Sequence, residues 1–139
     1  MSAYPNAMRR LLSSCPAERT LKLLEGRWKI FILHHLFQGE TRYAALRRAV
    51  EQSAGRVSQK MLTQELRALE RDGLLLRTVT PGKVPNVRYR LTSIGFQLRP
   101  IMEAMVQWGY HYEFSKTGSV VQPTCLLAEN LIDAQQQSQ

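Results

Sequence analysis

Cysteine is nearly missing from this chain of 139 residues, where only Cys15 and Cys125 occur. Two cysteines cannot make a disulfide framework, and a chain of this length does not need one. Long apolar runs are missing too. The stretch Ile30-Phe31-Ile32-Leu33 is as long as they become, against the ~20 residues of a membrane-spanning helix, so no membrane partner is expected. The opening Met1-Ser2-Ala3-Tyr4-Pro5-Asn6 lacks a basic segment followed by an apolar one, which argues against a secretory signal and for a cytoplasmic location. Histidine is scarce: His34 and His35 are adjacent and point apart on a helix, and His111 stands alone. No Cys or His pair has ligand spacing, so neither a metal nor a cofactor is expected, and His34 and His35 read as core-edge residues. A Gly-rich phosphate loop, a nucleophile elbow and paired carboxylates are all absent, which argues against an enzyme.

Acidic side chains are the remaining shortage, with 11 Asp and Glu against 19 Lys and Arg, a net charge of +8 and a pI near 10.0. The imbalance is local. Residues 1–100 carry 18 of the basic and 7 of the acidic residues, whereas 101–139 carry 1 and 4. A basic body with a mildly acidic tail suits a polyanionic partner.

The apolar periodicity divides the chain into an arm over 1–14, one folded domain over 15–114 and a flexible tail over 115–139, with a short helix at 124–134 as the tail's best candidate for order. Cys15-Pro16 opens a helix that Gly26 closes. Residues 27–37 form a second helix, apolar on most sides and therefore central. A short third helix over 42–50 turns Tyr43, Leu46 and Val50 inward, and a polar loop over 51–57 follows. Ser58 caps a helix over 59–71, with Leu62, Leu66 and Leu69 as its apolar stripe. Two strands, 74–79 and 87–91, flank a Pro/Gly-bounded tip. A last helix over 94–114 carries Ile94, Leu98, Ile101, Met105, Trp108 and Tyr112 at heptad spacing, and Pro100 breaks it near 99.

Helices first, then a hairpin, then a closing helix describe a mainly α chain with a small β-hairpin, an α+β winged helix-turn-helix. In that arrangement 59–71 enters the major groove. Ser58, Gln59 and Lys60 crowd its N-terminal turn, where free N–H groups favour phosphate. Gln59, Thr63 and Gln64 have the chemistry to read base edges, and Lys60 and Arg67 that of guanine or phosphate contacts. Arg77, Lys83, Arg88 and Arg90 cluster on the hairpin and, with Arg42, are expected to grip the backbone or the neighbouring minor groove, which positions the protein without specifying sequence. The plainer alternative for 59–71 is a solvated amphipathic surface, and a winged helix used only to dock proteins is the rival function. Leu98, Ile101, Met105, Trp108 and Tyr112 make a seam too apolar to leave exposed, so a two-fold dimer is expected, with two reading helices one DNA turn (~34–36 Å) apart on a near-palindromic site. Packing of that seam on the chain's own core is the alternative.

Cys15 caps a helix N-terminus, where the dipole favours a thiolate, with Arg19 assisting and Glu18 opposing. A half-buried residue without chemistry is the other reading, and catalysis by Cys15 lacks any visible base.

The segments Cys15-Pro16-Ala17-Glu18-Arg19-Thr20, Gly26-Arg27-Trp28-Lys29, Ser58-Gln59-Lys60-Met61-Leu62, Leu66 to Leu74, Val87-Arg88-Tyr89-Arg90-Leu91-Thr92 and Trp108-Gly109 together resemble the HxlR-type transcriptional regulators, which are MarR-like winged helix proteins. The resemblance covers 15–109. It implies a bacterial or archaeal homodimer that binds operator DNA near its own or neighbouring genes. It also implies an oxidant, an electrophile or a small-molecule inducer as the switch, because several members sense oxidants or quinones through a cysteine at the position of Cys15; Cys125 would be a resolving partner or incidental. Two departures stand out. The loop 51–57 reads longer than usual, and Arg88 and Arg90 occupy positions where an acidic and a small polar residue are common.

Overall fold

The fold was obtained as a computed structural model, which describes residues 14–119. The elements are α1 (Pro16–Leu23), α2 (Lys29–Leu36), β1 (Thr41–Arg42), α3 (Tyr43–Ala54), α4 (Gln59–Arg71), β2 (Leu75–Thr80), β3 (Asn86–Leu91), α5 (Ser93–Phe96) and α6 (Arg99–Thr117). The strands form one antiparallel sheet in the order β1-β3-β2. This is a winged helix-turn-helix. The tail, with Cys125 and the helix expected at 124–134, lies outside the described residues.

The core is built around α2. Every residue from Ile32 to Leu36 is buried, so neighbours must close over it on all sides. Leu46 and Val50 of α3, Leu62, Leu66 and Leu69 of α4, Leu75 of β2 and Tyr89 and Leu91 of β3 do so. The connector before α2 is fastened to the same elements. Arg27 donates to the Ala54 carbonyl at the end of α3 (2.7 Å) and lies over the Trp28 ring. Lys29 Nζ stands 4.0 Å from Glu65 Oε2 of α4.

Four sequence expectations need correction. First, the third helix does not stop at Val50 but continues to Ala54, where Gly55 leaves it at φ 87°. An Arg47–Glu51 pair one turn apart supports the extra turn, and Ser53 Oγ lies 3.2 Å from Nε2 of the buried His35. The link to α4 is therefore a short turn rather than a long loop. Second, Arg42 is not helical: with Thr41 it forms a strand against Tyr89 and Arg88. Third, the closing helix breaks near 99 as expected, into α5 and α6, but its apolar seam does not continue across the break. The break falls where Pro100 puts it, in the first turn of α6, and rotates the seam, so that Leu98 and Met102 enter the chain's own core. Leu98 is thereby removed from the expected dimer seam. The helix also runs past 114, to Thr117, before Gly118 ends it in the left-handed region. Fourth, His34 and His35 are not at the core edge: they are 3% and 8% exposed.

At the wing's root, Thr92 donates to the Gly73 carbonyl (2.7 Å) and accepts from Gly95 N–H (3.1 Å). Gly95 packs so tightly that a Cβ there would collide with the Leu74 carbonyl oxygen.

Neither ring nitrogen of His34 has a hydrogen-bond partner. Burial pushes its pKa down to about 4, helped by the charges of His35 and Arg99. A folded pKa below the unfolded value means that the unfolded chain takes up the proton first as pH falls. The stability tied to neutral His34 is thus complete above pH ~6.5 and drains away toward pH about 4. Replacing His34 by Leu should flatten the difference in urea midpoint between pH 7 and pH 4.5 relative to the parent chain, with other titrating groups common to both. Equal slopes in the two proteins would contradict this.

Candidate nucleic-acid interface

Helix α4 is set by a cap and a stripe. Ser58 has extended backbone (φ −69°, ψ 152°), and its Oγ accepts from Met61 N–H at 3.1 Å, which satisfies one of the orphan donors of the first turn. Leu62, Leu66 and Leu69 are at most 1% exposed. With that face committed to the core, the opposite face is open. Gln59, Lys60, Gln64, Arg67 and Arg71 are exposed and Thr63 half-buried, and these six border an open groove of about 750 Å³.

A second groove, of about 760 Å³, lies between α4 and the wing. Gln59, Thr63 and Arg67 line one wall, Arg77, Val87 and Tyr89 the other, with Arg42 and Tyr43 at its end. The sequence reading missed Tyr43, Glu70, Asn86 and Tyr89 as groove residues. Tyr43 packs against the core as expected and also lines the groove, its hydroxyl buried without a hydrogen-bond partner. Tyr89 is buried, which pushes its phenol pKa up against the opposing pull of a hydrogen bond from Arg77.

The hairpin arginines do not form one cluster. Register pairs Arg77 with Tyr89, Thr78 with Arg88 and Leu76 with Arg90. Directly opposed residues share a face. Arg77 therefore stands on the groove face, while Arg88 and Arg90 occupy the other side of the sheet. Lys83 sits exposed in the tip between the strands. None of Arg42, Lys60, Arg67, Arg71, Arg77, Lys83, Arg88 and Arg90 forms an ion pair among the described residues, so this end of the molecule presents uncompensated positive charge.

Cys15 is exposed and caps α1. The backbone N–H groups of Glu18 and then Ala17 lower its thiol pKa, and the Arg19 charge adds to them. Ile101, Met105, Trp108 and Tyr112 of α6 are all exposed, Trp108 at 66%, and Trp108 stacks on Tyr112 with ring centres 5.1 Å apart. Among the described residues, no group of three or more His, Cys, Asp and Glu side chains is placed to hold a metal, and no helix is long and apolar enough to cross a membrane.

Residues 23–117 match the family model described as HxlR-like helix-turn-helix. The HTH-type transcriptional regulator YdeP of Bacillus subtilis is 39% identical over 99 residues, covering 71% of this chain and 74% of that protein. YtfH of Escherichia coli, another HTH-type transcriptional regulator, is 42% identical over 94 residues, covering 68% and 71%. Among solved structures, the redox regulator HypR in its reduced form superposes with a TM-score of 0.66 at 34% identity, covering 76% of this chain and all of that one. Diamide-treated YodB of B. subtilis gives 0.57 at 30% identity, covering 70% and 94%.

Because Ser58 Oγ closes the first turn of α4, Ser58→Ala should lower the unfolding free energy by about 1 kcal/mol and Ser58→Gly by only a few tenths. Urea denaturation of the two variants measures the difference. Equal losses would mean that the cap bond contributes nothing.

Proposed function

The chain belongs to the HxlR-like helix-turn-helix family, and from that premise we propose that it is a sequence-specific DNA-binding transcriptional regulator that acts as a homodimer and is not an enzyme. One observation carries the reading: α4 commits its leucine stripe to the core and leaves Gln59, Lys60, Thr63, Gln64 and Arg67 facing open space beside an arginine-lined wing. Gln59, Thr63 and Gln64 read base edges, with Gln suited to adenine. Lys60, Arg67, Arg77, Lys83 and Arg42 neutralise phosphates, and Ser58 offers its helix N-terminus to one.

The dimer reading rests on α6. Only Met102 of its 19 residues is buried, which leaves Ile101, Met105, Trp108 and Tyr112 as an apolar row in need of cover. A second copy supplies it and sets two reading helices one duplex turn apart.

Regulation through Cys15 is supported by the lowered thiol pKa and by the likeness to HypR, whose structure was solved as a redox regulator in reduced form, and to diamide-treated YodB. An oxidant or electrophile would act on the thiolate.

DNA fragments retained by the protein from a bacterial genomic library should share a near-palindromic site. With 6–10 phosphate contacts, affinity for it should fall ~10³–10⁵-fold between 50 and 200 mM salt. Gln64→Ala should relax base preference at one position of each half-site, by ~1–3 kcal/mol. Retention without any shared sequence, or affinity indifferent to salt, would favour a protein-docking module instead. For the thiol, iodoacetamide should alkylate Cys15 faster than free cysteine at pH 7, read in a Cys125→Ser variant. A rate no greater than that of free cysteine removes the sensor from the proposal.

A further inference from the structure

Strand β1 brings together two residues that the sequence keeps far apart. Arg42 is the register partner of Arg88 on β3, and Arg88 is in turn the partner of Thr78 on β2. Directly opposed residues of an antiparallel pair share a face, with Cβ atoms ~4.5–5.5 Å apart. The row Arg42–Arg88–Thr78 thus roots two arginine side chains and a threonine side by side. Arg88 is half-buried and Arg42 exposed, and neither forms an ion pair among the described residues. Like charges facing each other across a strand pair destabilise a sheet. The arrangement is a cost to the free protein that an anion held between the two side chains would remove.

We propose that Arg42 and Arg88 form a clamp for a single phosphate group, with the Thr78 hydroxyl as an additional donor. Each guanidinium presents a planar fork that matches two phosphate oxygens. Arg42 also borders the groove between α4 and the wing, whereas Arg88 stands on the opposite face of the sheet, so the clamped phosphate lies at the β1 edge, flanking the groove rather than inside it. This placement rests on the DNA-binding reading above and deepens it: the phosphate is a backbone phosphodiester of the flanking duplex. Arg90, on the same face but opposite Leu76, is outside the clamp.

The test uses the full chain and the variants Arg42→Gln, Arg88→Gln and the double variant. In chloride buffer at low salt, each single variant should melt ~2 °C higher than the parent, because the like-charge contact is gone. Pyrophosphate, compared with chloride at equal ionic strength, should raise the melting temperature of the parent and leave all three variants unmoved. On a 30-base-pair duplex, the slope of log affinity against log salt should fall by about one in each single variant and by no more than that in the double variant, since both arginines share one phosphate. A double variant that loses about two, or single variants that respond to pyrophosphate as the parent does, would overturn the clamp. If pyrophosphate protects the parent through these arginines but no duplex binds, the clamp stands as a site for a free phosphate compound, and it is the DNA reading that falls.

Discussion

A helix without a polar side has no face to give to water, and α2 imposes that constraint on everything around it. Its buried run Ile32–Leu36 has to be covered from every direction, by α3, by α4 and by the sheet. The leucine stripe of α4 answers one of those directions. Once Leu62, Leu66 and Leu69 are spent on α2, geometry leaves the helix no choice about the rest: residues at the intervening positions project away from the core. The polar reading face is in this sense a by-product of burial. His34 and His35 are carried inside by the same constraint, since a helix enclosed on all sides encloses its polar residues as well. The missing partners of His34 are the price of placing an imidazole there.

Charge does the complementary job. The exposed arginines and lysines of α4's outer face and of the wing are left without ion pairs, while Arg47–Glu51 and Arg99–Glu103 pair along α3 and α6 and Lys29–Glu65 joins α2 to the half-buried side of α4. The alternation of β3 then divides the arginines between the two faces of the sheet. Arg77 joins the groove and contacts Tyr89; Arg88 and Arg90 turn to the other side.

Much of this was legible beforehand because long periodic signals survive folding. The stripe of α4, its Ser58 cap, the apolar run of α2, the two strands and the break at Pro100 were all written in local spacing. What escaped was short or long-range. A two-residue strand such as Thr41–Arg42 has no period to detect, and without it the juxtaposition of Arg42 and Arg88 is invisible. The extension of α3 through Glu51-Gln52-Ser53-Ala54 looked like a loop because those residues are mostly polar, but the Arg47–Glu51 pair and the contact of half-buried Ser53 with His35 sustain a helix without an apolar stripe. Grouping Arg77 with Arg88 and Arg90 failed for a different reason. Alternation within each strand was readable, whereas the pairing between strands, which decides which residues share a face, is a tertiary property. Leu98 was assigned to the wrong surface because a break resets helical phase.

The connector of residues 24–29 has a mechanical corollary. Helix α1 buries none of its own residues, and its C-terminal end is tied to the body by its C-cap Leu24, which packs in the core. The chain leaving it is anchored again, by Arg27 to the end of α3 and by Lys29 beside Glu65 of α4. Any swing of α1 must therefore pivot upstream of Leu24, with Gly26 (φ 113°) already on the fastened side. The two helices of the helix-turn-helix lie beyond that anchor, and a pull on α1 reaches them through the buried Leu24 before it reaches the Arg27 guanidinium and the Lys29 ammonium.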